Sequence, residues 1–371
     1  MKIGLLLPGS STHPLISYDF MGGINAALSA HQQTDQFEFF TAFIGFGTDD
    51  KLIIKEAETL FMMKQIDVLI VFADEPKIER LYPIANALKK QVIIVNHGAK
   101  FNSTNNGNYV AFHTLNGVLS SYLTGNEAKK NNDKAIMVSS FYDGGYAIMQ
   151  SMIDAFLRID DDLVANFILN HILKDFDTSG IKQVLTNDKR PLLCALSGDL
   201  VEHFFKQMND LDGAEKVEIF ATAVLLEEAS LLEQPINFPV TGYTSWHPNI
   251  PTNENAKLLT TFEAANGRAA SAVSALGWDT VLILMHLKNS EEKNNACFAS
   301  LNIEAAKGKL SFDTTSNQFL SGQYLANYIP GSRFQYSDTI NDAEILAAWK
   351  NIINRYPEGA SIGWVNTYLC S

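Results

Sequence analysis

The side chains able to do polar chemistry in this sequence gather immediately after short apolar runs. Ser10, Ser11 and Thr12 follow Ile3 to Leu7, Ala73 and Asp74 follow Val68 to Phe72, and Asn96 and His97 follow Val92 to Val95. Tyr142 and Asp143 come shortly after Ala135 to Val138, Ser197 and Asp199 after Leu192 to Leu196, and Thr222 and Ala223 after Val217 to Phe220, with Trp246 further on. Hydroxyls beside free N–H groups at a helix start suit a carboxylate, and Ser10 to Thr12 and the Gly144-Gly145 turn fit that role. Each residue also has an ordinary structural use. Ser and Thr cap helices and make turns, Tyr142 and Trp246 can pack between domains, and His97 can be a hydrogen-bonded loop residue.

Motifs for bond-making chemistry are missing from the sequence. There is no glycine-flanked serine elbow, no His-Glu-x-x-His, no phosphate loop ending in Gly-Lys-Ser/Thr, and no Gly-x-Gly-x-x-Gly after an apolar run. The eight histidines are scattered, so an enzyme with a Ser/His/Asp set assembled in three dimensions is only a third reading, and no catalytic residue is nominated. Asp160-Asp161-Asp162 lacks the later Gly and Glu of a calcium loop and reads as a solvated turn. Cys194, Cys297 and Cys370 are too few and too scattered for a metal cluster or a disulfide framework, and Cys194 reads as a buried, inert thiol. No metal and no cofactor is expected.

The elements that must position these residues follow from the apolar runs, which are continuous, as in strands buried on both faces of a parallel sheet. Between them lie amphipathic segments. The clearest runs from Asp49, a plausible N-cap, to Lys64, with Ile53, Ala57, Leu60 and Phe61 on one helical face. Further helices are expected at Gly23 to Ala30, Lys77 to Lys90, Val118 to Lys130, Tyr146 to Arg158, Leu200 to Leu211, Asn255 to Asn266 and Ala270 to Leu287. Alternating strands and helices mean βαβ units and an open parallel sheet in each domain. The pattern runs twice, to about residue 115 and again from Ala135 to Tyr243, and 371 residues suit two domains. The stretch Asn102 to Asn108 reads as a surface loop.

A net charge of −13 argues against nucleic acid as partner, because phosphate binding needs clustered Lys and Arg. No apolar run approaches the roughly 18 to 20 residues of a membrane span. The chain starts Met1-Lys2 and enters an apolar strand at once, so the expectation is a cytoplasmic protein unless a signal peptide has been omitted.

Six groups of residues resemble, in order, the Leu/Ile/Val-binding family of type I periplasmic solute-binding proteins. They are Lys2 to Pro8 with Gly22-Gly23-Ile24-Asn25-Ala26-Ala27, read as the opening of the first helix; Lys134 to Val138 with Tyr142-Asp143-Gly144-Gly145-Tyr146; Asp175-Phe176-Asp177; Gly242 to Trp246; Ala275-Leu276-Gly277-Trp278-Asp279-Thr280-Val281; and Gly308 to Asp313. The resemblance implies an α/β fold of two Rossmann-like lobes with parallel sheets, three crossovers and a ligand cleft between the lobes. It places the crossings near Leu115 to Val118, Tyr243 to Pro248 and Tyr328 to Arg333. The lobes become 1–116 with 247–329, and 117–246 with 330–371, closed by a helix bearing Ile345, Leu346, Trp349 and Ile353 on the second lobe. In such sheets ligands sit beyond the carboxyl ends of the strands, which selects the residues named at the outset.

The function this implies is a solute-binding protein of an ABC-type transporter. It closes on an amino acid or related carboxylate or amide and has a permease as partner. The alternative is a cytoplasmic ligand sensor of the same fold. One departure stands out: the loop Ala221-Thr222-Ala223-Val224 lacks the acid that family members use against an α-ammonium, so Asp143 or Asp199 would have to supply that charge.

Overall fold

The computed structural model describes residues 1–100, 107–157, 162–356 and 364–370. Asn102 to Asn106 of the expected loop, and Asp160 and Asp161 of the expected turn, lie outside the described residues.

In chain order the elements are β1 (Lys2–Leu7), α1 (Ile16–Ala30), β2 (Glu38–Phe43), α2 (Asp50–Thr59), β3 (Val68–Phe72), α3 (Leu81–Leu88), β4 (Gln91–Asn96) and β5 (Val110–Thr114). There follow α4 (Gly117–Lys129), β6 (Lys134–Ser140), α5 (Ala147–Phe156), β7 (Asp162–Leu169), α6 (Ser179–Asn187), β8 (Leu192–Ala195), α7 (Asp199–Met208), β9 (Ile219–Ala221), α8 (Ala223–Ser230) and β10 (Val240–Thr244). The chain finishes with α9 (Asn253–Asn266), α10 (Ala272–Asn289), β11 (Ile303–Ala305), β12 (Gly308–Asp313), β13 (Gln318–Leu320), β14 (Tyr324–Tyr328), β15 (Gln335–Thr339) and α11 (Asp342–Arg355).

Among the described residues these strands form two sheets, ordered β11-β12-β13-β5-β4-β3-β1-β2 and β15-β14-β10-β9-β8-β6-β7. The central strands are parallel, as expected. Antiparallel pairing enters where β11, β12 and β13 follow one another and where β14 and β15 extend from β10. Strands β3 and β4 are buried along their whole length, which is why they read as unbroken apolar runs. The edge strands β2 and β7 do not: β7 alternates half-buried and exposed side chains from Leu163 to Ile168, and neither edge was anticipated. Asp49 does cap its helix, accepting from the N–H groups of Lys51 at 2.9 Å and Leu52 at 3.2 Å.

Two expectations are corrected. Gly22 and Gly23 lie mid-helix, because α1 starts at Ile16. Their role is close packing: a Cβ on Gly23 would collide with the Ser274 carbonyl of α10, and one on Gly277 with the Phe20 carbonyl of α1. The third passage between sheets is at Ser321 to Gln323, not Tyr328 to Arg333, because Tyr324 to Tyr328 pairs antiparallel with Val240 to Thr244 and sends Ala326 and Tyr328 into the second core. The first passage is where expected. There Asn116 takes a left-handed φ of 52° and ties two passages together, its amide donating to Phe319 O at 3.0 Å and its oxygen accepting from Ser321 N at 3.1 Å.

Helix α11 does contact α4, and it also reaches the first sheet, where the Trp349 indole N–H donates to Ser316 Oγ at 2.9 Å. Among the described residues no helix is long and apolar enough to cross a membrane.

Candidate functional site: an interlobe cleft filled by the chain end

The loops after β1, β3, β4, β6, β8 and β9 converge between the two sheets, and residues 364–370 thread among them. Asp143 is fully buried in a single turn after β6 and accepts three hydroxyls: Ser140 Oγ at 2.6 Å, Tyr368 OH at 2.7 Å and Ser197 Oγ at 2.9 Å. Burial pushes its carboxyl up to about 6, although those three hydrogen bonds pull the other way. Asp74, after β3, accepts the backbone N–H of Tyr368 at 2.8 Å through Oδ2. Its Oδ1 is buried with no hydrogen-bond partner among the described residues, and burial raises this carboxyl despite nearby Lys100. Lys100 spends its ammonium on three carbonyls, Trp364 O and Asn366 O at 3.0 Å and Glu75 O at 3.1 Å.

The other anticipated residues divide. Ser10 donates to Leu369 O at 2.6 Å, and the Tyr142 hydroxyl accepts from Leu369 N at 3.0 Å and from Tyr146 OH at 3.0 Å. His97 stands edge-on to Tyr368 with centroids 5.9 Å apart; burial pushes it down to about 3, so it is a neutral imidazole. His97, Thr222, Ala223 and Tyr368 line a cavity of ≈ 30 Å³, room for about one water. Ala73 and Asn96 are tied to each other, Asn96 Nδ2 donating to Ala73 O at 3.0 Å. Ser11 is exposed. Trp246 is buried in the first core with its indole N–H on Asn255 Oδ1 at 3.0 Å, so it packs beside α9. The Gly145 turn is covered by the Trp364 indole, whose N–H donates to Tyr142 O at 2.8 Å.

Beside the chain end lies a cavity of ≈ 330 Å³ lined by Thr12 and His13 from the loop after β1, Phe141 to Asp143, His171 and Leu173, Ser197 to Leu200, and Trp364 with Asn366. Its walls are largely aromatic: Phe141 stacks on His171 at 6.3 Å and meets Trp364 edge-on at 5.4 Å. Two of its lining residues are joined through Glu228: His13 Nε2 is 2.9 Å from Glu228 Oε1, and Gly198 N donates to Glu228 Oε2 at 2.7 Å. Glu227 accepts from Ala272 N at 2.9 Å. These two acids on α8 therefore join the second sheet's helix to the first sheet's side. Sequence reading missed His13, Lys100, Phe141, His171, Glu227, Glu228 and the whole chain end. The aromatic density of Trp364 to Tyr368 was visible, but what it would face was not. Among the described residues no His, Cys, Asp and Glu group could hold a metal ion.

A pH dependence follows from Asp143. Its folded pKa of about 6 lies above the roughly 3.9 of an unfolded Asp, so the folded chain holds this proton more tightly. The stability it contributes is full below about pH 4 and is lost as pH rises through about 6. Between pH 4 and 7 the parent should lose about 2 kcal/mol more unfolding free energy than Asp143→Asn, read by urea denaturation at each pH. Parallel pH profiles for the two proteins would contradict it.

A family model described as periplasmic binding protein matches residues 46–328. No curated protein matches the chain by sequence. Solved structures share the fold. A solute-binding protein of an ABC transporter from Rhodopseudomonas palustris BisB5, in complex with 3,4-dihydroxybenzoic acid, superposes with a TM-score of 0.72 at 16% identity, covering 93% of this chain and 99% of that one. An R. palustris solute-binding protein in complex with benzoate gives 0.71 at 17% identity, covering 92% and 97%. A leucine-binding protein from Thermotoga maritima MSB8 gives 0.67 at 15%, covering 93% and 99%. With the family model spanning most of the sequence and the two-sheet architecture in place, this chain belongs to the periplasmic binding protein family.

Proposed function

We propose that this chain is the solute-binding component of an ABC-type transporter, working outside the cytoplasm. It binds a small molecule with a ring or other apolar body and a polar edge, within the amino-acid and related carboxylate or amide class. The reading rests on the ≈ 330 Å³ cavity, to which loops that follow strands of both sheets contribute. That volume is at the lower end of small-molecule sites, and such sites pair apolar walls with a few placed polar groups. Here Phe141, Tyr142, Leu173 and Trp364 supply walls, and Thr12, Ser197 and Asp199 supply polar edges. The similar proteins crystallised with benzoate and dihydroxybenzoic acid support a ring-bearing ligand.

In this reading residues 1–116 with 247–320 form one lobe and 117–246 with 324–356 the other. The passages at 115–116, 245–247 and 321–323 act as the hinge, and a permease is the partner. The chain has no catalytic role in it. A thermal-shift panel of amino acids, short carboxylates, amides and aromatic acids, run on protein stripped by unfolding and refolding, tests the reading. A ligand at about 100 times its dissociation constant should add about 2.7 kcal/mol. If no member moves the melting temperature, the ligand class is wrong.

A further inference from the structure

The residues best suited to grip a ligand in this cleft are gripping the chain's own end. Tyr368 is fully buried. Its ring stacks on Tyr142 with centroids 6.0 Å apart and planes 10° from parallel, and meets Tyr146 edge-on at 4.6 Å. Its hydroxyl is on Asp143 and its N–H on Asp74. One tyrosine thus links an acid after β3 in one sheet to an acid after β6 in the other, the contact expected of a ligand that closes two lobes. The segment around it is held through its backbone, by Lys100 at Trp364 O and Asn366 O and by Ser10 at Leu369 O, and through side chains, by the Trp364 indole on Tyr142 O and by Thr367 Oγ1 accepting from Asp74 N.

Asp74 is incompletely satisfied. Lys100 is the cation near it, but that ammonium bonds three backbone carbonyls, and Asp74 Oδ1 has no hydrogen-bond partner among the described residues. A peptide N–H uses one oxygen of Asp74 and brings no charge. An ammonium at the same place would bring the charge that a buried carboxylate needs.

Resting on the solute-binding reading, we propose that residues 364–370 are a displaceable internal ligand. The free ligand for which Tyr368 stands in is a cationic phenol: an ammonium on Asp74, a ring between Tyr142 and Tyr146, and a hydroxyl on Asp143. The ligand enters by way of the ≈ 330 Å³ cavity, whose wall Trp364 and Asn366 form, and takes the place of the segment. Because the segment competes, the apparent affinity of the full chain is lowered by the fraction of molecules in which the segment is seated.

Tyramine carries the N–Cα–Cβ–ring–O chain of Tyr368 and nothing more, and is the probe. Cys370 reports on the segment without any substitution, since its side chain is fully buried while the segment is seated; its alkylation by iodoacetamide is read by peptide mass spectrometry. In the full chain, tyramine should speed Cys370 alkylation several-fold while leaving buried Cys194 unchanged. In Tyr368→Ala, tyramine should bind at least tenfold more tightly than in the parent, and phenethylamine and 4-ethylphenol, each lacking one polar end, at least tenfold more weakly than tyramine. Tyr368→Phe keeps the packed ring and loses the bond to Asp143. It should raise tyramine affinity by a smaller factor, and it carries the test if the alanine variant fails to fold. Tyramine binding that leaves Cys370 alkylation unchanged overturns the proposal, as does a cooperatively folded Tyr368→Ala that ignores tyramine. If a panel solute binds the parent in either of those cases, the solute-binding reading stands and this inference alone falls.

Discussion

Replacing Asp279 by Ala is expected to lower the unfolding free energy by about 3 to 5 kcal/mol. Asp279 sits in the middle of α10, fully buried, and its Oδ1 accepts the N–H of Ala306 at 2.7 Å, in the turn between β11 and β12. The next residue of that turn, Lys307, is also fully buried and sends its ammonium to Thr114 O at 2.8 Å, at the end of β5. Burial raises the Asp279 carboxyl and lowers the Lys307 ammonium, each opposed by the partner's charge. Removing the acid leaves a buried cation with no opposite charge and an unpaired N–H, and that residual charge accounts for most of the loss. Asp279→Leu with Lys307→Met should recover most of it, because apolar groups of similar volume avoid both desolvation costs. Guanidinium denaturation of the parent, Asp279→Ala and the double variant reads this. A loss below about 1 kcal/mol in Asp279→Ala would mean that the lysine finds another partner.

Gly277→Ala is expected to cost about 3 kcal/mol, although it adds a single methyl. The added Cβ has nowhere to go: its neighbours are the Phe20 carbonyl and the Ile24 amide of α1, backbone atoms that move only with the whole helix. Gly23 faces Ser274 in the same way from the other side, so the two helices meet at two glycine contacts and an alanine at either parts them. Gly9 has nothing within 4 Å of its would-be Cβ. Gly9→Ala should therefore change stability by less than about 0.5 kcal/mol, which makes it the control. Equal melting temperatures for Gly277→Ala and Gly9→Ala would contradict the packing argument.

Both residues belong to the stretch Ala275 to Val281, one of the groups by which the sequence resembled its family. The structure gives that stretch an architectural role, with Gly277 at the helix contact, the Trp278 indole on Glu254 Oε2 at 3.0 Å and Asp279 on the hairpin. What was legible in the sequence was what is buried on both sides. Val68 to Phe72 is the strand at the boundaries expected, because a strand covered by helices on both faces must be apolar throughout. Edge strands β2 and β7 were missed because one face meets solvent and the apolar run breaks. Gly22 and Gly23 were read as a helix start because the resemblance places a glycine and small residues at the opening of the first helix; in the structure a contact with a partner far away in sequence outweighs the cost of glycine in a helix interior and leaves no local sign.

Part of the candidate site's surroundings was legible by the same logic, and the rest was missed for the same reason. The rule of strand ends brought together Asp74, His97, Tyr142, Asp143 and Ser197, all of which the structure puts around Tyr368 or on the carboxylate it touches. Asp74 is an acid that the loop Ala221 to Val224 does not provide, and it comes from the other sheet. The chain end could not be anticipated, since Trp364 to Leu369 meets residues more than 200 positions away. Trp246 was selected because it follows β10, yet its indole turns toward Asn255 and into the core.

In the proposed function a small molecule is held between the loops of both sheets, beyond the strand ends. Hydrogen–deuterium exchange of the stripped protein, with and without the strongest ligand of the thermal-shift panel, locates that molecule. Slowed exchange is predicted in peptides covering residues 9–16 on one side and 139–146 and 196–202 on the other, with the rest of both sheets unchanged. Slowing confined to one side, or located away from these loops, would contradict a ligand gripped between two lobes.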